Sequence, residues 1–186
     1  MRIISGRLKG QRLILPRVVN FRPIQSVTRK AIFDSLQFLL KPEHFFLDLF
    51  GGSGSVGFEA FSRGIENVLV VESDHKNFEA IQKTAKKFKT GPGFIILNMD
   101  FRDALSYSLN KGWVFNYIFC APPYKKKEYY DIVLNFLRNN PNFLASDGLL
   151  ILESNKKFEP DISGFDKIRD KVYGIARVIS LKKGKD

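Results

Sequence analysis

The stretch Asp48-Leu49-Phe50-Gly51-Gly52-Ser53-Gly54-Ser55-Val56-Gly57 decides how this 186-residue chain is read. The apolar run Phe45-Phe46-Leu47 leads into it, and Phe58, Ala60 and Phe61 follow at helix-like spacing. The pattern is a buried strand, a tight turn and a helix start. Glycine tolerates positive φ and leaves main-chain N–H groups open to a ligand that a Cβ would obstruct. A nucleotide-like cofactor is the natural occupant of such a turn. Two other readings attach to the same residues. Close packing alone can require glycines, and residues 52–57 also fit G-x-G-x-x-G, the spacing of NAD and FAD sites. Asp48 on the preceding strand and a second motif downstream tell against both.

Outward from this turn the chain alternates. Residues 45–50, 67–71, 94–99, 115–120 and 149–153 have strand character; residues 55–63, 75–89, 101–108 and 127–139 have helix character. Asp147-Gly148 marks a turn before the fifth strand, and residues 167–172 and 175–181 form an antiparallel hairpin around Gly174. The expected fold is α/β and Rossmann-like: a doubly wound, mostly parallel sheet with an antiparallel C-terminal β-hairpin. Upstream, residues 2–5 and 12–15 read as two short strands around Gly6 and Gly10. Residues 16–25, with Pro16 and Pro23, read as an extended connector. Ser26 caps a helix over 27–40 that Pro42 ends. The expected organisation is a basic N-terminal hairpin and connector, residues 1–25, joined to one compact unit, residues 26–186, with a frayed tail at 182–186.

Composition narrows the function. The net charge is +11, from 30 basic and 19 acidic residues. The first 30 residues hold Arg2, Arg7, Lys9, Arg12, Arg17, Arg22, Arg29 and Lys30 and no acid. Arginine offers a planar fork suited to phosphates and base edges, so this segment is expected to contact nucleic acid. No apolar run is long enough to span a membrane, and no signal-peptide core is seen at the N-terminus. The single cysteine, Cys120, forms no internal disulfide, and with only His44 and His75 a metal site is not expected. A cytoplasmic monomer is the expectation.

In an open α/β sheet, ligands sit at the carboxyl ends of the strands. Glu72 ends the second strand, where a carboxylate could accept both hydroxyls of a ribose. Asp100 ends the third; it either accepts an adenine amino proton, with Asp103 as the alternative, or caps the next helix. The fourth ends in Ala121-Pro122-Pro123-Tyr124. Two prolines fix the backbone so that carbonyls are rigidly aimed, and a neighbouring aromatic ring can stack on a base. Lys125, Lys126 and Lys127 follow and suit phosphate contacts. Cys120 is read as a packed residue because it lies on an expected buried strand.

With these motifs in view, the chain resembles the class I S-adenosylmethionine-dependent methyltransferases, and within them the bacterial RsmD-type enzymes that methylate guanine N2 in 16S ribosomal RNA. The resemblance rests on Arg2-Ile3-Ile4-Ser5-Gly6 with Gly10 and Leu13, on Arg22-Pro23 with Arg29 and Ile32-Phe33-Asp34, on residues 48–60, Ser62-Arg63-Gly64, Val71-Glu72, Pro122-Pro123-Tyr124 and Glu153-Ser154. It implies that Asp48, Gly51, Ser53 and Gly54, with Phe50 and Gly52, line the methionine end of the cofactor. Glu72 with Ser73 would meet the ribose, and Asp100 with Phe101 the adenine. The turn at 121–124 would receive the target base. Arg2, Arg7, Lys9, Arg12, Arg22, Arg29 and Lys125 to Lys127 would grip the RNA of the small ribosomal subunit, and the product would be S-adenosylhomocysteine.

Two departures stand out. The family motif has Asp or Asn where this chain has Ala121, so the side chain that accepts a hydrogen bond from the reacting amino group is missing. Ser26-Val27 and Lys30 replace the family's Asp-Arg and Glu, which changes the expected salt-bridge pattern. The alternatives are a catalytically weakened or inactive protein that binds S-adenosylmethionine and RNA, a DNA methyltransferase acting on adenine N6, and, more remotely, a nicotinamide oxidoreductase.

Overall fold

The computed structural model describes residues 1–16 and 22–184; residues 17–21, half of the 16–25 connector and including Arg17, and the last two residues lie outside the described range. The strands are β1 (Phe45–Asp48), β2 (Asn67–Val71), β3 (Phe94–Leu97), β4 (Phe115–Cys120), β5 (Leu144–Asn155), β6 (Phe165–Tyr173) and β7 (Ala176–Lys183). The helices are α1 (Ser26–Leu36), α2 (Ser55–Ser62), α3 (His75–Phe88), α4 (Phe101–Asn110) and α5 (Glu128–Asn139). They build one seven-stranded sheet in the order β3-β2-β1-β4-β5-β7-β6. Strands β1 to β5 run parallel, and β7 is antiparallel to both β5 and β6. This is the Rossmann-like, doubly wound sheet with a C-terminal hairpin that the βα alternation predicts.

The strands are buried on both faces, and their alternation sorts the core into two layers. Phe46, Val68, Val70, Tyr117, Phe119 and Ile151 pack with α1, α2 and α3. Leu47, Leu69, Val71, Ile118, Cys120 and Leu150 pack with α4 and α5. Cys120 is therefore a core residue, and burial pushes its thiol pKa up, which suppresses the thiolate that a nucleophile requires.

Three expectations need correction. Strand β5 begins at Leu144, and Asp147-Gly148 lies inside it as an irregularity where the register with β4 shifts between Phe115 and Tyr117. Strand β7 extends to Lys183, so the C-terminal tail is shorter than the sequence suggested. The N-terminal hairpin is reduced to a single bridge, Arg2 with Arg12. The reason is tertiary: the backbone N–H groups of Ile4 and Ser5 donate to the Glu59 carboxylate, at 2.9 and 3.0 Å, rather than to a partner strand.

That carboxylate organises the basic segment. Glu59 and Arg29 are both fully buried and form an ion pair at 3.6 Å. Arg29 Nη2 also donates to the Arg2 carbonyl at 2.6 Å, and Arg63 Nε donates to Glu59 at 3.0 Å. Arg29 is thus an internal strut, not one of the RNA-facing cations; a side chain with no exposed surface cannot reach a phosphate. Nearby, Asp34 bridges Lys30 at 2.5 Å and Arg63 at 3.0 Å, so the altered residue at position 30 retains an ionic partner. Gly6 sits against the end of α2 with φ of 79°, and a Cβ there would meet the Ser62 carbonyl oxygen at 1.9 Å. Ile3 and Leu13 are in the main core.

Removing one member of a buried pair leaves the other charge uncompensated and costs about 3–5 kcal/mol. Glu59→Ala is expected to lower unfolding stability by that amount in a urea titration. A loss below about 1 kcal/mol, the range of an exposed pair, would show that the network is not the clamp described.

Candidate active site

The strand order reverses between β1 and β4: β1 is followed in sequence by strands to one side, and β4 by strands to the other. Such a switch point opens a crevice at the carboxyl ends of the strands. Asp48 is in register with Phe119, and the Leu49 N–H donates to the Phe119 carbonyl at 3.0 Å. The glycine turn and Ala121-Pro122-Pro123-Tyr124 therefore leave from neighbouring strand ends.

The glycine turn is shaped by two different needs. Gly52 and Gly54 have φ of 55° and 72°, and Gly54 starts α2 from the left-handed region. Gly51 and Gly57 are required by close packing: a Cβ on either would meet a Val70 methyl group at 2.6 Å. Positive φ thus accounts for Gly52 and Gly54, and close packing for Gly51 and Gly57. Asp48 is buried, and its Oδ2 accepts the Gly57 N–H at 3.2 Å while Oδ1 has no partner. Burial, opposed by the Gly57 and Phe50 N–H groups and reinforced by the charge of Glu72, pushes its pKa up to about 7. Ser53 is also buried, with its hydroxyl 3.2 Å from the Met1 sulfur. Phe50 is half-buried.

Glu72 ties the turn to β2. Its Oε2 accepts the Gly52 N–H at 2.6 Å and its Oε1 the Asp74 N–H at 2.7 Å. The Asn77 side chain also approaches the carboxylate, which keeps part of its acceptor capacity. Burial raises the Glu72 pKa, and the two N–H bonds oppose it. Ser73 is exposed; its carbonyl and that of Glu72 accept from Asn98 Nδ2 at 3.1 and 2.8 Å. Asp100 caps α4 by accepting the Arg102 N–H at 2.9 Å, which leaves its other oxygen for a ligand. Phe101 is buried against Phe50 at 4.9 Å and Tyr129 at 4.7 Å between ring centroids. Tyr129 and Asn98 escaped sequence reasoning. Tyr129 carries only a helical-spacing signal, and Asn98 acts through backbone carbonyls that leave no motif.

At the neighbouring strand end, Ala121 is half-buried, Pro122 buried and Pro123 exposed. The Pro123 carbonyl accepts the Lys126 N–H at 2.7 Å and closes the turn. Tyr124 donates its hydroxyl to Glu153 Oε1 at 2.5 Å, and the Arg22 guanidinium lies 4.2 Å from its ring centroid. Burial and the bond to Glu153 raise the Tyr124 pKa. Arg22 thus belongs to this turn, apart from the other N-terminal cations. Arg2, Arg7, Lys9, Arg12 and Lys125 to Lys127 are exposed. Arg7 stacks on Phe61 at 3.8 Å, and Arg2 donates to the Gly10 carbonyl at 3.1 Å. Among the described residues no cluster of His, Cys, Asp and Glu could hold a metal, and no helix is long and apolar enough to cross a membrane.

A doubly wound sheet with an acidic strand end, a glycine turn and a diproline turn at its switch point has the architecture of a class I methyltransferase. Comparison with known proteins agrees. A family described as "Conserved hypothetical protein 95" matches residues 1–182, and the chain belongs to this family, that of the RsmD-type methyltransferases. It is 29% identical to YlbH of Bacillus subtilis over 98% of this chain and 99% of that one. It is 29% identical to the ribosomal RNA small subunit methyltransferase D of Escherichia coli, over 83% of this chain and 74% of the other. The solved structure of yhhF from Escherichia coli superposes with a TM-score of 0.83 at 26% identity, covering 100% of this chain and 99% of that one.

The Asp48 carboxyl provides a test in the unliganded protein. A pKa raised from 3.8 to about 7 means that the fold favours the protonated form. Its contribution is therefore most favourable below the unfolded value and is lost as the pH climbs through about 7. Asp48→Asn is expected to gain on the order of 2–4 kcal/mol over the parent at pH 8 and little at pH 4. Melting temperatures across this range check it; a parallel pH dependence for the two proteins would contradict the assignment.

Proposed function

We propose that the protein is an S-adenosylmethionine-dependent methyltransferase that transfers a methyl group to guanine N2 in small-subunit ribosomal RNA. The observation that carries this reading is the adjacency of the glycine turn and the diproline turn at the switch point. Family membership and the name of the Escherichia coli relative, ribosomal RNA small subunit methyltransferase D, support the substrate class.

The residues fit the cofactor. Asp48 Oδ1 is a buried acceptor without a donor, as expected beside the methionine end. Gly51 and Gly52, with Phe50, Ser53 and Gly54, would line that end. Glu72 has acceptor capacity for the ribose hydroxyls, beside Ser73, and Asp100 with Phe101 would meet the adenine. When bound, S-adenosylmethionine supplies an electrophilic sulfonium methyl, so no metal is required.

The chain's own task is placement. A flipped guanine would stack on Tyr124 in exchange for the Arg22 guanidinium, since both are planar groups that favour an aromatic face. The Pro122 carbonyl would accept one hydrogen of the amino group. Exclusion of water and alignment of amine and methyl would provide most of the acceleration. Arg2, Arg7, Lys9, Arg12 and Lys125 to Lys127, with Arg22 at the pocket edge, would bind RNA phosphates.

Ala121 favours a second reading, a slow or inactive protein that binds cofactor and RNA. Loss of one transition-state hydrogen bond to a charged acceptor costs on the order of 2–4 kcal/mol, or tens to hundreds of fold in rate. Incubation with labelled S-adenosylmethionine and small-subunit RNA or particles, followed by nucleoside analysis, tests both. The expected result is label at guanine N2, with a higher rate for Ala121→Asp than for the parent. Cofactor and RNA binding without label in either protein would support the second reading, and label in adenine would overturn the guanine assignment.

A further inference from the structure

Glu153 is the carboxylate at this pocket that the cofactor does not need. It lies near the end of β5, directly after Leu152, which is in register with Cys120 at the end of β4. Glu153 and Ala121 thus follow paired positions on adjacent strands. The Glu153 residue is only 7% exposed. Its backbone is held by the Tyr130 hydroxyl, which donates to the Glu153 carbonyl at 2.7 Å, and its Oε1 is held by the Tyr124 hydroxyl. Oε2 has no donor among the described residues, yet it is not one of the fully enclosed polar atoms left without a partner. Tyr124 occupies one lone pair of Oε1, so each carboxylate oxygen keeps an acceptor site with no donor among the described residues. Burial raises the Glu153 pKa, and the Tyr124 hydrogen bond and the Arg22 charge act against that rise.

The geometry points to Glu153 as the residue that reads the target base, its carboxylate accepting hydrogen bonds from N1–H and the N2 amino group of a guanine seated at the Pro122-Pro123-Tyr124 turn. This rests on the guanine-methylation reading and adds the specificity element that reading lacks. Guanine presents two adjacent donors on its Watson–Crick edge, which match the two oxygens of a carboxylate. Adenine and cytosine present a ring-nitrogen lone pair beside the amino group, which a carboxylate repels. A buried polar site rejects a ligand that leaves its groups unpaired. The same contact holds the N2 amino group where Ala121 offers no acceptor, so the pocket retains a side-chain anchor despite that substitution.

Parent, Glu153→Gln and Tyr124→Phe proteins are compared with labelled S-adenosylmethionine and small-subunit RNA, with the label assigned by nucleoside analysis. Affinity for S-adenosylhomocysteine is measured separately by calorimetry. A good two-pronged base contact is worth about 1–3 kcal/mol, so Glu153→Gln is expected to lose guanine labelling roughly ten- to a hundred-fold. Its affinity for S-adenosylhomocysteine should match the parent's. Tyr124→Phe, which removes the anchoring hydroxyl but keeps the carboxylate, should lose clearly less. Should Glu153→Gln lose S-adenosylhomocysteine binding, Glu153→Asp, which keeps the charge and retracts it, carries the same test. Parental guanine labelling in the Glu153 variant overturns the proposal, as does an equal loss in Tyr124→Phe, which would make Glu153 only an anchor for the tyrosine. A parent that labels no guanine overturns the methylation reading and this assignment with it.

Discussion

The parallel pairing of β1 with β4 is the constraint on which the pocket depends. Through it, Asp48 and Phe119 stand side by side, and the two turns that follow them leave from neighbouring strand ends. The chain reaches this pairing late, since β2, β3 and three helices intervene in sequence. Its register is enforced by burial on both faces: a slip of one residue would exchange the side chains of the two core layers. Packing therefore fixes the distance between the glycine turn and the diproline turn. The tight contacts of Gly51 and Gly57 against Val70 belong to the same arrangement, because they let α2 lie close on β2 while the turn remains open above.

The basic N-terminal segment is integrated with this core. Glu59 satisfies two of its backbone N–H groups, and Arg29 crosses from α1 to hold the Arg2 carbonyl. The result is a segment whose backbone is tied down while Arg2, Arg7, Lys9 and Arg12 remain exposed. Ordering a cationic surface in advance reduces the entropy lost when a polyanion binds. Arg22 performs a different task, covering the Tyr124 ring close to the Glu153 carboxylate. The same run of arginines in sequence thus divides into an internal strut, a surface set and a pocket residue.

Sequence made the sheet legible because its strands are short, apolar and separated by amphipathic helices. Strands β2 and β4 fall at the expected residues, and the helix ends differ by a few positions. The exceptions have tertiary causes. The N-terminal strands were lost to a carboxylate 55 residues away, and β5 absorbed Asp147-Gly148 because a register shift accommodates them. Arg29 appeared cationic and RNA-facing since charge alone does not reveal a buried partner. In the pocket, Asp48, Glu72 and the two turns were visible as strand-end residues. Tyr129 and Asn98 were not: one joins an aromatic cluster through the fold, and the other binds main-chain carbonyls. The bond from Tyr124 to Glu153 spans 29 residues and two strands, and no local pattern announces it.

The central claim is that the crevice between β1 and β4 holds an adenosyl cofactor across Glu72 with its sulfur end directed to the diproline turn. A crystal structure with S-adenosylhomocysteine tests it most directly. The account predicts ribose hydroxyls on Glu72 and the thioether beside Pro122, facing Tyr124. Ligand density at another site, or no uptake at saturating concentration, would contradict it.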